Sequence, residues 1–273
     1  MIMRVLKAAL VAGFLAACVA ATLQTFLTSP LILEAETFEK SAGPQAQATG
    51  YAGLVQLAHV HSAQLHSAQL HLAHGQDAHG DAAEEGGWEP GEGFPRIAFT
   101  ALATLVSGVG YAAILAALLL ASGREFNPQT ALRWAIGGFV AVNLAPAIGL
   151  PPELPGMGGA HLAERQIWWV CTALGTGLGL YLVTNVRHQA AIAIGLLAIV
   201  LPHIIGAPHA AAAASDVPAV LAAQFAARSL AVAFAFWATL GLSLGWYWVR
   251  QEDRTTSGLV SQALPVSGER KAV

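Results

Sequence analysis

The chain has 273 residues, of which 55% are hydrophobic and 11% are charged. Soluble domains carry about 25% charged residues, so this composition excludes an ordinary soluble protein and indicates an integral membrane protein whose first partner is the lipid bilayer. A formal net charge of −3 supplies no basic surface of the kind that nucleic-acid binding needs, so nucleic acid is not expected as a partner.

Six intervals of the chain contain no charged side chain, and each is long enough to cross a bilayer as a helix of about 17–25 residues. They predict an all-α, polytopic helical bundle in a single membrane domain that covers residues 1–254. The predicted transmembrane helices lie at about 5–29, 97–122, 131–150, 165–186, 189–207 and 225–249. Pro202 and Pro208 interrupt the outer end of the fifth predicted helix, 189–207. If that helix does not cross the membrane, the alternative is five spans.

The N-terminal stretch "MIMRVLKAALVAGFLAAC" allows two interpretations. A basic start, an apolar stretch and "LAAC" ending at Cys18 resemble a lipoprotein signal. The apolar run continues through "VAATLQTFL", whereas a mature lipoprotein usually begins with a polar tether. The continuation favours a first transmembrane helix.

The distribution of basic residues predicts the orientation in the membrane. A cytoplasmic N-terminus places nine of the thirteen lysines and arginines inside, which follows the positive-inside rule. Both termini are then cytoplasmic, with a disordered tail at 255–273. The long segment 30–95 becomes an external loop rich in histidine and acidic residues.

The external loop carries six of the ten histidines of the chain: His59, His61, His66, His71, His74 and His79. Neutral imidazoles beside carboxylates suit divalent transition metals, so the loop is interpreted as a cation-collecting segment. No two of these histidines are four residues apart, as a helical chelate would need, which predicts weak multivalent capture. Copper would outcompete cobalt for such ligands, so the loop is not the selectivity element. The alternative is that "HSAQLHSAQL" is a duplicated pentapeptide without selected chemistry.

Polar side chains in the predicted spans cluster toward the outer side. Gln24, Asn143 and His203 lie in the outward thirds of helices one, three and five, which predicts a polar outer vestibule. His203 is the candidate ligand on a transport path, because a neutral imidazole beside Pro202 would face a divalent metal near the membrane boundary. Asn143 would complete its ligand set. The alternative for His203 is an interfacial hydrogen-bonding residue.

Enzymatic motifs are missing from the sequence. No P-loop, HExxH or Ser-His-Asp arrangement occurs, and the two cysteines, Cys18 and Cys171, form no CxxC site, so the chain is not expected to be an enzyme. The pairs Gly175/Gly179 and Gly241/Gly245 have small-xxx-small spacing, which predicts close helix packing.

Several long segments resemble the CbtA-type predicted cobalt transporter subunits. They are "LTSPLILEAETFE", the His-rich acidic loop, "GWEPGEGFPRIAFTALA", "APAIGLPPELPGM", "RQIWWVCTALGTGLGLYL" and "LPHIIGAP", within about residues 4–250. The resemblance implies four candidate functional residues within these motifs: Glu34, Glu36, Glu153 and His203. We expect the pair Glu34/Glu36 to add oxygen ligands to the site of His203 and Asn143. The family is usually described with about five helices, whereas six are counted here.

The resemblance implies a component of cobalt uptake in the bacterial inner membrane, linked to cobalamin synthesis, with the His-rich loop in the periplasm. It further implies a small single-helix partner of the CbtB type with its own histidine motif. No tightly bound cofactor is expected, only a transported or loop-bound divalent metal, with cobalt favoured. A homo-oligomer is compatible with the pattern. The alternative function is a metal-binding membrane module without transport, such as a sensor or a metallochaperone docking platform.

Overall fold

The computed structural model describes residues 2–41, 94–209 and 215–263, and all regular structure within these ranges is helical. In chain order the elements are α1 (Ile2–Leu27), α2 (Ser29–Ser41), α3 (Phe94–Ala121), α4 (Pro128–Phe139), a π-helical segment (Val140–Leu144), α5 (Ala145–Gly149), α6 (Leu162–Asn185), α7 (Gln189–Ile205) and α8 (Ala219–Ala263). The predicted all-α class is confirmed for this part of the chain. The histidine cluster at 59–79 lies outside the described residues.

Within the described ranges, five helical stretches are long and apolar enough to cross a membrane: Ile2–Leu27, Ala98–Ala121, Pro128–Gly149, Leu162–Asn185 and Ala219–Arg254. The predicted fifth span at 189–207 corresponds to α7, an apolar helix of 17 residues, which is shorter than these five. Large apolar side chains remain exposed along the stretches, as contact with lipid requires. Five candidate spans are therefore present in the described residues, and the number of helices that cross the membrane, five or six, stays a prediction.

Several predicted boundaries differ from the structure. The segment expected to be loop from residue 30 begins with helix α2, and the tail expected to be disordered from 255 continues as helix α8 to Ala263, because no proline occurs before Pro265 to end it. Helix α4 begins three residues before the expected start at 131. Its N-cap is Asn127, whose side-chain oxygen accepts a hydrogen bond from the Thr130 amide at 2.9 Å, and Pro128 follows at the first helical position.

Helices α1, α3, α4 and α8 pack into a bundle. Helix α1 contributes a stripe of fully buried alanines at four-residue spacing, including Ala8, Ala12 and Ala16. A Cβ on Gly13 would lie 2.5 Å from the Val109 backbone, so α1 and α3 approach as closely as small residues permit. Helix α1 thus supplies part of the bundle core, as expected of a first transmembrane helix.

The two glycine pairs lie at close helix contacts, as predicted. A Cβ on Gly175 would lie 2.7 Å from the Ala198 carbonyl oxygen, and one on Gly179 would overlap the Gly195 carbonyl, which joins α6 and α7 into a hairpin. Gly241 and Gly245 likewise face α4. The α6–α7 hairpin joins the bundle through the contact of α6 with the π-helical segment.

One end of the bundle is covered by α2. Leu31, Ile32 and Ala35 of α2 pack in a separate apolar cluster with Leu154 and with the start of α8. The connection 150–161, the C-terminus of α7 and the N-terminus of α8 lie at this end, which we call the α2 end. The N-terminus of α1 and residues 246–254 of α8 meet at the opposite end, where Arg4 Nη2 lies 3.3 Å from Glu252 Oε2.

Candidate functional site

His203 lies in the last turn of α7, at the α2 end. Its side chain is half-buried, and its ring meets the indole of Trp168 edge to face, with 5.9 Å between the ring centroids and 76° between the planes. The Trp168 Nε1–H donates a 3.1 Å hydrogen bond to the Pro202 carbonyl oxygen. The indole of α6 is therefore fixed in orientation, and it positions the imidazole.

Pro202 interrupts the hydrogen bonding of α7. It has no N–H, so the Ala198 carbonyl one turn earlier loses its helical donor. A Cβ built on Gly175 of α6 would lie 2.7 Å from that carbonyl oxygen, so the carbonyl lies against α6. The carbonyl freed by the proline is thus covered by α6 in this structure.

Asn143 lies in the π-helical segment, and such segments occur frequently at functional sites. Its Oδ1 accepts a 2.7 Å hydrogen bond from Trp237 Nε1 of α8. The Trp237 ring is held by Tyr111 of α3 at a centroid distance of 5.2 Å. An amide oxygen has two lone pairs, so one remains for a cation.

Glu153 lies in the connection 150–161 and forms an ion pair with Arg165 of α6, with 2.7 Å between Oε2 and Nη2. Each side chain is 18% exposed. Burial raises the pKa of the Glu153 carboxyl above its usual range, and the Arg165 guanidinium acts in the opposite direction. A Cβ at position 159 would lie 2.5 Å from Arg165 Nη1, so Gly159 makes room for the pair. The ion pair joins the connection to α6.

The remaining predicted polar residues lie on α1 and α2. Glu34 is exposed on α2, and Glu36 is half-buried on the same helix. The backbone carbonyl of Gln24 accepts hydrogen bonds from the Thr28 amide and hydroxyl groups. Arg228 of α8 donates to the Leu27 carbonyl at 3.1 Å, which fixes the end of α1.

The described residues do not assemble a complete metal site. Among residues 2–41, 94–209 and 215–263, no three histidine, cysteine, aspartate or glutamate side chains come together to hold a metal ion. His203, Glu34 and Glu36 are therefore not brought together. The six loop histidines are outside these ranges.

Sequence reasoning missed the two tryptophans that position the polar residues. Trp168 donates a hydrogen bond to the carbonyl of Pro202, next to His203, and Trp237 donates one to the side chain of Asn143. A buried indole N–H usually finds an acceptor, so these tryptophans, placed in apolar spans, could have been expected to bond to a proline-freed carbonyl or to an amide. The identity of each acceptor depends on helix packing.

Comparison with known families gives one finding. A family model described as probable cobalt transporter subunit (CbtA) matches residues 2–249, and this range covers four of the five candidate spans completely and the fifth up to residue 249. The comparisons with curated proteins and with solved structures give no match.

Proposed function

The chain belongs to the CbtA family of probable cobalt transporter subunits, and from this membership we propose that it is the integral membrane component of a cobalt uptake system. The observation that carries the proposal is the extent of the family match, residues 2–249, over four candidate spans and most of the fifth. Membership in a transporter subunit family agrees with a role other than catalysis.

Capture of the cation is assigned to the external loop. Six imidazoles interspersed with carboxylates raise the local concentration of a divalent metal without forming a rigid chelate. Weak, multiple ligands release the ion readily, which a delivery role requires. In the proposed orientation the loop is periplasmic, both termini are cytoplasmic and the protein lies in the bacterial inner membrane.

Passage of the cation is assigned to the α2 end, with His203 as the first ligand inside the membrane boundary. Three features support this role. The imidazole is half-buried, Trp168 positions it, and its nitrogens make no hydrogen bond with other described residues. A neutral imidazole without a competing partner is a suitable ligand for a divalent transition metal. Asn143, with one free lone pair, and the carboxylates Glu34 and Glu36 would join His203 only after a rearrangement of α2 or α7.

Glu153 is assigned a structural role, in contrast to His203. Its carboxylate is engaged by Arg165, so it would bind a metal only if the ion pair opened. We assign Glu153 to holding the connection 150–161 against α6 while the pathway is closed.

A second subunit completes the proposed system. A small single-helix protein of the CbtB type would contact the apolar faces that α6 and α7 expose, such as those with Leu174, Leu178 and Leu197. A homo-oligomer would use the same faces.

Accumulation of radioactive cobalt in cells that express the chain with and without the single-helix subunit tests the proposal. Uptake should require both proteins and saturate with cobalt concentration. Replacing all six loop histidines with alanine should weaken uptake mainly at low cobalt. If the wild-type chain binds cobalt but never increases its accumulation, it is a metal-binding module without transport. If the loop variant loses uptake at saturating cobalt, the loop belongs to the permeation site.

A further inference from the structure

A cleft with basic and aromatic walls lies on α8 at the end of the bundle opposite α2. It is lined by Trp246, Tyr247, Arg250, Gln251 and Arg254. Two guanidinium groups, an indole and a phenol therefore border one small volume. No carboxylate lines it.

The helical register makes this wall continuous. Leu242, Trp246, Arg250 and Arg254 follow one another at four-residue spacing and lie on one face of α8. All four are exposed. Along this face an apolar side chain is followed by an aromatic one and then by two cations. This order matches that of a phospholipid, in which the acyl chain is followed by the glycerol region and then by the phosphate.

The two arginines retain their charge for a ligand. Arg250 lies over the Trp246 ring, with 4.1 Å from Cζ to the ring centroid, which holds the guanidinium flat while its N–H edges stay accessible. Among the described residues, neither Arg250 nor Arg254 forms an ion pair, the neighbouring Asp253 included. Arg4, by contrast, is paired with Glu252 on another face of α8.

The position along α8 suits the membrane surface. The run of α8 without charged side chains, 229–249, ends immediately before Arg250, so the cleft lies at the boundary of the apolar run. Tryptophan and tyrosine favour this boundary, and arginines here attract anionic lipids, most strongly in the cytoplasmic leaflet. The orientation predicted from the basic residues places this end in that leaflet.

We propose that the cleft binds the headgroup phosphate of an anionic phospholipid. Arg250 and Arg254 donate N–H bonds to the phosphate oxygens, and the geometry of the guanidinium fork allows two parallel bonds from one group. The Tyr247 hydroxyl supplies a further donor. One acyl chain lies along Leu242 in the bilayer. The site is independent of cobalt uptake and concerns how α8 is held at the membrane surface.

Native mass spectrometry of the purified full-length protein tests the proposal. Phosphatidylglycerol and the zwitterionic phosphatidylcholine are added at equal concentrations, and the lipid that stays bound is counted. The wild-type protein should retain phosphatidylglycerol in preference, and Arg250→Gln with Arg254→Gln should reduce its retention about tenfold, equivalent to about 1.4 kcal/mol. Trp246→Leu should reduce it by a smaller factor, since it removes the surface on which Arg250 rests.

Arg187→Gln is the matched control. Arg187 is an exposed basic residue in the connection between α6 and α7, and it does not line the cleft. Its replacement should leave retention unchanged. Equal losses in the Arg187 variant and in the double variant would show a general charge effect and overturn the site. Removal of the preference by soluble inorganic phosphate at millimolar concentration would overturn the assignment to a lipid. Full retention by the double variant would overturn both.

Discussion

Indole N–H groups set the geometry of the two polar residues nearest the proposed pathway. Trp168 donates to the carbonyl beside His203, and Trp237 donates to the side chain of Asn143. A buried N–H left without an acceptor costs about 1–3 kcal/mol, so each hydrogen bond fixes the tryptophan ring relative to the helix that supplies the acceptor. The polar residues were visible in the sequence because they interrupt apolar runs. Their partners were not visible, because they come from other helices.

His203 is expected to be required for uptake at every cobalt concentration. His203→Ala removes the imidazole ligand, and His203→Gln keeps hydrogen bonding while providing a poor metal ligand, so both should abolish cobalt accumulation at normal membrane abundance. His161→Gln, at an exposed histidine before α6, is the control and should leave uptake unchanged. Normal uptake by the His203→Gln variant would reduce His203 to an interfacial hydrogen-bonding residue.

Breaking the Glu153–Arg165 pair is expected to make the stability of the protein depend on pH. Burial already raises the pKa of Glu153, so folding favours the protonated carboxyl, and this contribution is lost as pH rises through the folded-state pKa. Arg165→Ala removes the group that opposes the rise. It should destabilise the protein by about 1–3 kcal/mol at neutral pH, with partial recovery at acidic pH.

Thermal unfolding in detergent across pH measures this effect. The double variant Arg165→Ala with Glu153→Gln has no carboxylate to desolvate, so its stability should vary less with pH than that of Arg165→Ala. If the single and double variants show the same pH dependence, Glu153 is not the responsible group.

Close helix contacts decide the arrangement of α6 and α7. The spacing of Gly175 and Gly179 predicted a tight contact, and the structure supplies the partners, the carbonyls of Ala198 and Gly195. The positions of the apolar helices were likewise predictable, since apolar runs are local features, but the length of α8 was not, because that helix continues past both predicted ends. The helix α2 was missed, because its acidic residues resembled the external loop that follows.

Gly179→Ala is expected to weaken the α6–α7 hairpin. Its Cβ would overlap the Gly195 backbone and Ile199, and such overpacking destabilises by about 1–3 kcal/mol. Gly177→Ala is the matched control on the same helix, because its Cβ would meet only Ala141, at 3.8 Å. Thermal unfolding in detergent should show a loss for Gly179→Ala and no loss for Gly177→Ala. Equal stability of the two variants would contradict the close contact.

The start of α1 and residues 246–254 of α8 lie at the same end of the bundle. Arg4 Nη2 donates a 2.9 Å hydrogen bond to the Trp248 carbonyl, and the Arg4 guanidinium lies 4.1 Å from the centroid of that ring. The start of α1 and the membrane end of α8 are therefore on one side. The charge distribution predicts that this side is cytoplasmic.

Fusions to alkaline phosphatase, which is active only in the periplasm, test the orientation. A fusion within residues 42–50 should be active, and a fusion after Arg254 should be inactive. A fusion in the connection 122–127, between α3 and α4, should also be inactive because it lies at the end where Arg4 meets α8. The reverse pattern would place the histidine loop in the cytoplasm and remove its role in capture.

The sequence by itself determined the class, the apolar spans and the candidate polar residues, because a bilayer imposes a length and an apolar composition on each helix separately. The tertiary structure decided which of these residues meet. Asn143 and Trp237 are 94 positions apart, and their hydrogen bond exists only because α8 packs against the π-helical segment. The same packing places Glu153 beside Arg165 and leaves His203, Glu34 and Glu36 apart. Contacts between helices depend on the fit of distant surfaces, and no local pattern encodes that fit.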